Sequence, residues 1–280
     1  MAAVRIVTDS ACDLPEDVTD RLAIEVVPLT IRFGDEELTD RSELSTEDFY
    51  AKLAESKDLP ETAAPSPGAF EQAFRKAAGD GADAVVCINL SSQLSATMAS
   101  AQNAAKALAG EVDVRVVDSR SITAGLGTQV MLAARAGADG RSADEVVDLV
   151  EDLAGRTRIV GVLDTLEYLK KGGRVGGARA LLGTMLDIKP LIDISSGQVE
   201  EAGKQRTRKR AMAWLRDELF KQERVEHLTV CNGGATDVDT FLEMLAPRYT
   251  RDDLRISTIG AVIGTHGGPR VLGLAWLTPK

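Results

Sequence analysis

Apolar and polar positions divide the chain into short apolar runs and longer mixed segments. Val4 to Val7 is a compact apolar run ending at Thr8-Asp9-Ser10, and Ala84-Val85-Val86-Cys87-Ile88-Asn89-Leu90 is a second. Both are short and β-branched enough for buried strands. The second run breaks into Ser91-Ser92-Gln93-Leu94-Ser95-Ala96-Thr97 and resumes as Met98 to Leu108, whose alanines are strong helix formers. Val112 to Val117 predicts a further strand closing on Asp118-Ser119, and helices follow from Ala124 to Ala136 and from Ala143 to Leu153. Strand, helix and strand in alternation imply a parallel sheet covered on both faces. Strand ends at Asp9-Ser10, Leu90-Ser91-Ser92 and Asp118-Ser119 then gather at the carboxyl edge, where open α/β folds place ligands.

Between these elements, Asp13-Leu14-Pro15-Glu16 predicts a helix start with Asp13 as cap and proline in the first turn. Ile24 to Phe33 alternates as one strand, turned by Gly34-Asp35-Glu36, and Thr46 opens an amphipathic helix with acidic residues at its positive end. Leu59 to Gly68 holds three prolines within eight positions and predicts a stiff loop rather than regular helix or central strand. Gly68 to Ala78 is helical in pattern.

From Arg158 the pattern changes. Arg158 to Leu163 predicts a strand, Asp164 to Lys171 a short helix, Gly172 to Gly177 a turn, and Ala178 to Leu186 a helix. Ile188 to Ile194 and Gln198 to Ala202 flank Ser195-Ser196-Gly197 as a hairpin. A long helix from Thr207 to Gln222, a strand His227 to Cys231, a helix Thr236 to Leu245, a strand Leu254 to Ile263, a turn Gly264 to Pro269 and a strand Val271 to Leu277 complete the chain. The expected architecture is α/β in two domains: an N-terminal parallel-sheet α/β/α domain over 1–155 and a C-terminal mixed-sheet α+β domain over 156–280.

A length of 280 residues accommodates two domains with ordinary cores. The net charge of −10 argues against wholesale attraction to nucleic acid or anionic membrane. Charge at Thr8-Asp9-Ser10 arrives too early for a signal peptide, and no apolar run approaches membrane-spanning length. A cytoplasmic protein without an integral membrane segment is expected. Cys12, Cys87 and Cys231 are odd in number and widely spaced, which argues against a disulfide framework and against a metal site.

The Ala84 to Ala109 stretch puts serine hydroxyls and free helix N–H groups at one place, suited to a carboxylate or phosphate, although on this stretch alone a plain helix cap is the commoner role for Ser92 or Ser95. His266, one of only two histidines, sits among glycines that permit close backbone approach to a ligand, whereas His227 begins a strand and reads as structural. A serine hydrolase using Ser95 and His266 is the alternative from a different class, but no G-x-S-x-G elbow is present. Neither a P-loop nor a G-x-G-x-x-G fingerprint following a strand occurs. Lys204, Arg206, Arg208, Lys209 and Arg210 lead into a helix at the end where cations oppose the dipole, so at least one of them, such as Arg206, is expected to face an anion. A duplex-binding role for this cluster is weak in an acidic chain without stacking aromatics.

Taken in order, Thr8-Asp9-Ser10, Thr62 with Pro65-Ser66, Ser91 to Thr97, Val117-Asp118-Ser119, Gly172-Gly173-Arg174, Lys189-Pro190, Arg206-Thr207 and Gly264-Thr265-His266-Gly267 resemble the DegV family from end to end. The resemblance implies a two-domain α/β protein that binds one long-chain fatty acid between its domains. It also implies that Thr62 and Ser95 hold the carboxylate, that His266 and Arg206 stand near the headgroup, and that Arg174 is an exposed residue meeting a fatty acid kinase subunit. Two motifs depart from the family pattern: Thr62-Ala63-Ala64-Pro65 stands for Thr-Ser-Gln-Pro, and Ser95-Ala96-Thr97-Met98 for Ser-Gly-Thr-Tyr. The function so implied is non-catalytic: the chain carries a fatty acid, needs no cofactor, and presents the carboxylate for acyl phosphate formation by the partner. A content of 44% hydrophobic but 4% aromatic residues supplies aliphatic side chains enough to line a tunnel.

Overall fold

The computed structural model describes residues 3–56, 58–181 and 188–280. β1 (Val4–Asp9) runs into a single 3-10 turn, and α1 (Glu16–Arg21) follows with Pro15, not Asp13, at its cap position. Asp13 instead takes a left-handed conformation, φ 50°, and turns its carboxyl inward. β2 (Glu25–Val27) lies parallel to β1, and Pro28, which has no N–H for a ladder, ends it. β3 (Thr30–Phe33) and β4 (Glu36–Thr39) then form an antiparallel hairpin, so the strand expected over Ile24 to Phe33 is two strands in two sheets.

Ser45 caps α2 (Thr46–Glu55), and β5 (Glu61–Ala63) pairs with β3 at the edge of a three-stranded sheet ordered β4-β3-β5. The expected loop over Leu59 to Gly68 thus contains a strand, placed where flanking prolines interrupt no inner ladder. α3 (Pro67–Gly79), β6 (Ala84–Asn89), α4 (Thr97–Ala107), β7 (Val114–Asp118), α5 (Thr123–Ala138) and α6 (Ala143–Arg156) complete the first half. Its sheet, β2-β1-β6-β7, is parallel throughout, as the alternating pattern requires. At its carboxyl edge the three strand ends do gather. Asp9 accepts from Asn89 and the Leu90 N–H, and Asp118 accepts from Ser92.

β8 (Thr157–Val162) follows α6 without a linker, and α7 (Glu167–Lys171) and a 3-10 segment over Gly176–Leu181 come next. Most of the helix expected over Ala178 to Leu186 lies outside the described residues. β9 (Lys189–Asp193), β10 (Glu200–Gln205), α8 (Arg208–Phe220), β11 (Glu226–Gly233), α9 (Val238–Leu245), β12 (Arg255–Thr258), α10 (Ala261–Gly267) and β13 (Val271–Leu277) follow. The sheet order is β10-β9-β8-β13-β11-β12, antiparallel except between β11 and β12. One face buries Val162, Leu272 and Leu274 against Leu215 and Phe241 of α8 and α9. The other places Ile159, Leu163, Ile192 and Val271 in a core shared with the first half.

α5 makes that sharing possible. It is buried along almost its whole length and packs on β1 on one side and on β8, β11 and β13 on the other. Such an approach demands small residues: a methyl at Gly125 would stand 2.5 Å from Ile159 Cδ1, and one at Gly127 2.5 Å from the Cys12 carbonyl.

The strand expected over Leu254 to Ile263 stops at Thr258. Gly260 then caps α10, which takes in Gly264 to Gly267 of the expected turn and leaves Gly268-Pro269 outside, so His266 occupies the last turn of a helix. Ile259, Val262 and Ile263 favour strand by propensity, but tertiary packing overrides it. Gly264 lets α10 lie against the buried Phe49 ring, where an added Cβ would come within 2.6 Å.

Candidate functional site

A narrow cavity lies between the inner face of the six-stranded sheet, α10 and the carboxyl edge of the first sheet. Its volume is about 80 Å³. Leu29, Leu90, Ile122, Ile159, Leu163 and Ile194 are among its aliphatic walls. Thr62, Ser95, Arg174 and His266 join them from four separate segments of the chain.

Thr62 reaches the cavity because β5 pairs with β3, Thr62 opposite Ile31. Its Oγ1 lies 2.9 Å from His266 Nε2. Burial, followed by the charge of Arg174, depresses the His266 pKa to about 4, so the imidazole is neutral at pH 7. The other ring nitrogen, Nδ1, is buried without a hydrogen-bond partner among the described residues, and the backbone of Gly172 closes over it. Only glycine allows this approach: a Cβ at position 172 would stand 2.3 Å from Nδ1.

Ser95 stands immediately before α4. Its Oγ lies 2.8 Å from Thr97 Oγ1 and accepts from the Thr97 N–H at 3.2 Å. Ser91 Oγ donates to the Gly197 carbonyl at 2.6 Å, tying this turn to the β9–β10 hairpin. Arg174 is half-buried rather than exposed. Its Nε donates to the Leu94 carbonyl at 3.1 Å and its Nη1 to that of Gly172, which fixes the guanidinium between the serine turn and the end of α7.

Of the five residues singled out in the sequence, the fold brings Thr62, Ser95, Arg174 and His266 to one cavity. Arg206 is not among them: it is exposed, between edge strand β10 and α8, and does not line the cavity. The cation of that cluster that faces anions is Arg208, which holds Asp237 through two bonds of 3.1 Å and approaches Asp164 at 3.7 Å. Burial raises the Asp237 pKa, but Arg208 outweighs it and the net shift is downward. Sequence reasoning missed the close cover by Gly172, although the Gly172-Gly173 pair was its visible signal. It also missed the Leu94 carbonyl, which no side-chain pattern announces.

A larger open groove, about 1010 Å³, runs beside α1 and β12 and is lined by Asp13, Arg41, Arg255 and Ile256. It contains none of the five residues, and its mixed charges give it no polar end. The narrow cavity is aliphatic apart from the cluster of Thr62, Ser95, Arg174 and His266 and the separate hydroxyl of Thr123, an asymmetry that orients an amphipathic ligand. Among the described residues no group of histidine, cysteine and acidic side chains has the arrangement to hold a metal ion, and no helix is long and apolar enough to cross a membrane.

The model of a family described as uncharacterised proteins, the DegV family, matches residues 3–279. The chain belongs to the DegV family. DegV domain-containing proteins of Streptomyces coelicolor and Deinococcus radiodurans are 36% and 35% identical to it, over 97% and 98% of both chains. A fatty-acid-binding DegV family protein from Thermus thermophilus is 32% identical and superposes with a TM-score of 0.90, covering 99% of this chain and 100% of its own. DegV of Bacillus subtilis, a fatty acid binding protein, is 28% identical with a TM-score of 0.87 over the whole of both chains. The nucleophile-to-base contact of a hydrolase is not formed in this DegV chain, because His266 Nε2 meets Thr62 while Ser95 meets Thr97.

Proposed function

We propose that the chain binds one long-chain fatty acid in the narrow cavity, with the carboxylate at Thr62, Ser95 and neutral His266, and presents that carboxylate to a partner kinase. The observation that carries the reading is the segregation of the lining: aliphatic walls, with Thr62 and His266 in hydrogen-bond contact beside Ser95 and Arg174. Fatty acid binding by the Thermus and Bacillus relatives supports it. Neutral hydroxyls can hold a carboxylate through charge-assisted hydrogen bonds, and Arg174 supplies the one permanent cation among the lining residues described.

Burial of ~14 methylenes at ~0.8 kcal/mol each supplies roughly 11 kcal/mol of gross transfer energy. Much of this offsets association and ordering costs, so the tail dominates affinity and the headgroup sets orientation. The role is that of a carrier in the cytoplasm: it performs no chemistry, needs no cofactor, and leaves phosphoryl transfer to the partner. Arg174 is the residue that joins the headgroup to the docking surface in this reading. The segments 1–155 and 156–280 act as the two domains that enclose the ligand.

Native mass spectrometry followed by denaturing extraction tests the proposal. One fatty acid per chain is expected, with retention weakened in Thr62→Val and Ser95→Ala. Kinase, ATP and loaded carrier should give acyl phosphate, trapped as the hydroxamate, and Arg174→Ala should lower that yield while the lipid stays bound. A wild-type chain that no fatty acid shifts in mass overturns the binding reading; equal yield from Arg174→Ala removes that residue from presentation.

A further inference from the structure

The inner face of the six-stranded sheet carries two glycines in mid-strand, Gly161 on β8 and Gly273 on β13, directly opposite each other in the antiparallel register. Glycine in a strand interior weakens a sheet, because it contributes no packing and loses the most chain entropy. Neither residue has the positive φ that would require glycine. Their neighbours in the same transverse row are Ile192, opposite Gly161 on β9, and Cys231, opposite Gly273 on β11. Cross-strand partners project to one face, and all four residues line the narrow cavity.

The row Ile192, Gly161, Gly273, Cys231 is therefore a furrow across four strands, walled at its ends and bare in the middle. With strands about 4.8 Å apart, its end residues stand roughly 14 Å from each other. The fold does not need position 161 empty. A Cβ there would meet Ile192 Cγ1 at 3.5 Å and Cδ1 at 3.7 Å, ordinary contact distances. At position 273 it would come within 3.0 Å of the Val160 carbonyl, a tighter fit.

We propose that Gly161 and Gly273 form the floor on which the acyl tail lies, and that Ile192 and Cys231 at the furrow's ends set the chain length the cavity accepts. The inference rests on the fatty-acid reading above and assigns its specificity to four residues of one sheet. The bare backbone supplies the width that the aliphatic walls deny, and the Cys231 side chain, being small, leaves more length than a branched residue would.

Competition among saturated acids of twelve to twenty carbons, read by native mass spectrometry, tests this, with thermal melting to check the fold. Gly161→Ala fills the space of about one methylene on the floor, so acids that lie across it should bind about fourfold more weakly than to the wild type, and Gly161→Val more weakly still. Cys231→Ala lengthens the furrow and should shift the retained population to longer chains. A wild type that loads fatty acid beside variants with an unchanged profile overturns the furrow assignment and leaves fatty acid binding intact. A wild type that loads none removes the underlying reading instead. If Gly161→Ala does not fold, Cys231→Ala decides: a shift to longer chains supports the assignment and an unchanged profile overturns it.

Discussion

Substituting Gly172 by alanine gives a direct test of how the polar end of the cavity is held. The residue has φ −71° and ψ −8°, a conformation alanine adopts without strain, so by chain entropy alone the change should stabilise by about 0.4–1 kcal/mol. Against this, the new methyl would stand 2.3 Å from His266 Nδ1 and 2.8 Å from Cε1. Overpacking of this kind costs about 1–3 kcal/mol, and the net expectation is a loss of about 1–2 kcal/mol. The imidazole must move, and the contact it makes with Thr62 at 2.9 Å is the first casualty. A hydrogen bond of net worth about 1 kcal/mol corresponds to about fivefold weaker fatty acid binding. Thermal or urea unfolding and fatty acid titration of the single variants and of Gly172→Ala/His266→Ala form a double-mutant cycle. The double variant should recover most of the stability lost in Gly172→Ala, since the obstructed ring is gone. Additive losses in the double variant would refute the close contact and with it the positioning argument.

Burial raises the Asp13 pKa to about 7 despite the lowering effects of Thr123 and Arg41. Because the folded state holds this proton more tightly than the unfolded chain, the group's stabilising contribution is present below the unfolded value of about 3.9 and lost as pH rises through about 7. Asp13→Asn removes that dependence, so its melting temperature relative to wild type should rise between about pH 5 and about pH 8; a fall would contradict the assignment. Asp9, raised to about 6 by burial, adds the same trend to both proteins and cancels in the difference. Arg208→Ala should cost about 1.5–3 kcal/mol in denaturant unfolding, because it removes both hydrogen bonds to the half-buried Asp237 and leaves it only the longer approach of Arg270, while Arg206→Ala should leave stability and fatty acid affinity unchanged. Equal effects of the two would show that the ion network around Asp164 and Asp237 is not structural.

The parallel sheet was legible because its strands are short apolar runs separated by helical pattern, and burial on both faces leaves them little else to be. The three-stranded sheet was not: β3 continues the apolar alternation of β2, and only Pro28 marks the change of sheet. α10 was hidden by Ile259, Val262 and Ile263, whose β-branched side chains satisfy a strand pattern as readily as the buried face of a short helix. Thr62, Ser95 and His266 lie far apart in sequence, and no spacing rule joins them. They emerged from a resemblance spanning the chain, and the fold supplies the reason, an edge strand, a strand-to-helix turn and a helix end meeting at one place. Arg206 lies exposed in the connection after β10, whereas Arg208 begins α8 and is held there against Asp237 and Asp164, a difference that no charge count shows. The Gly161 and Gly273 pair left no local signal, because glycine in a strand announces a bend as often as a space.

The position of α5 bears on how the molecule comes apart. A helix whose two sides belong to two sheets cannot be assigned to one of them alone, so the boundary near Gly155 divides the sequence more cleanly than it divides the energy. A chain severed there would leave β8 and β13 with bare apolar faces and α5 with half its neighbours missing. The two sheets should therefore melt together in a single transition.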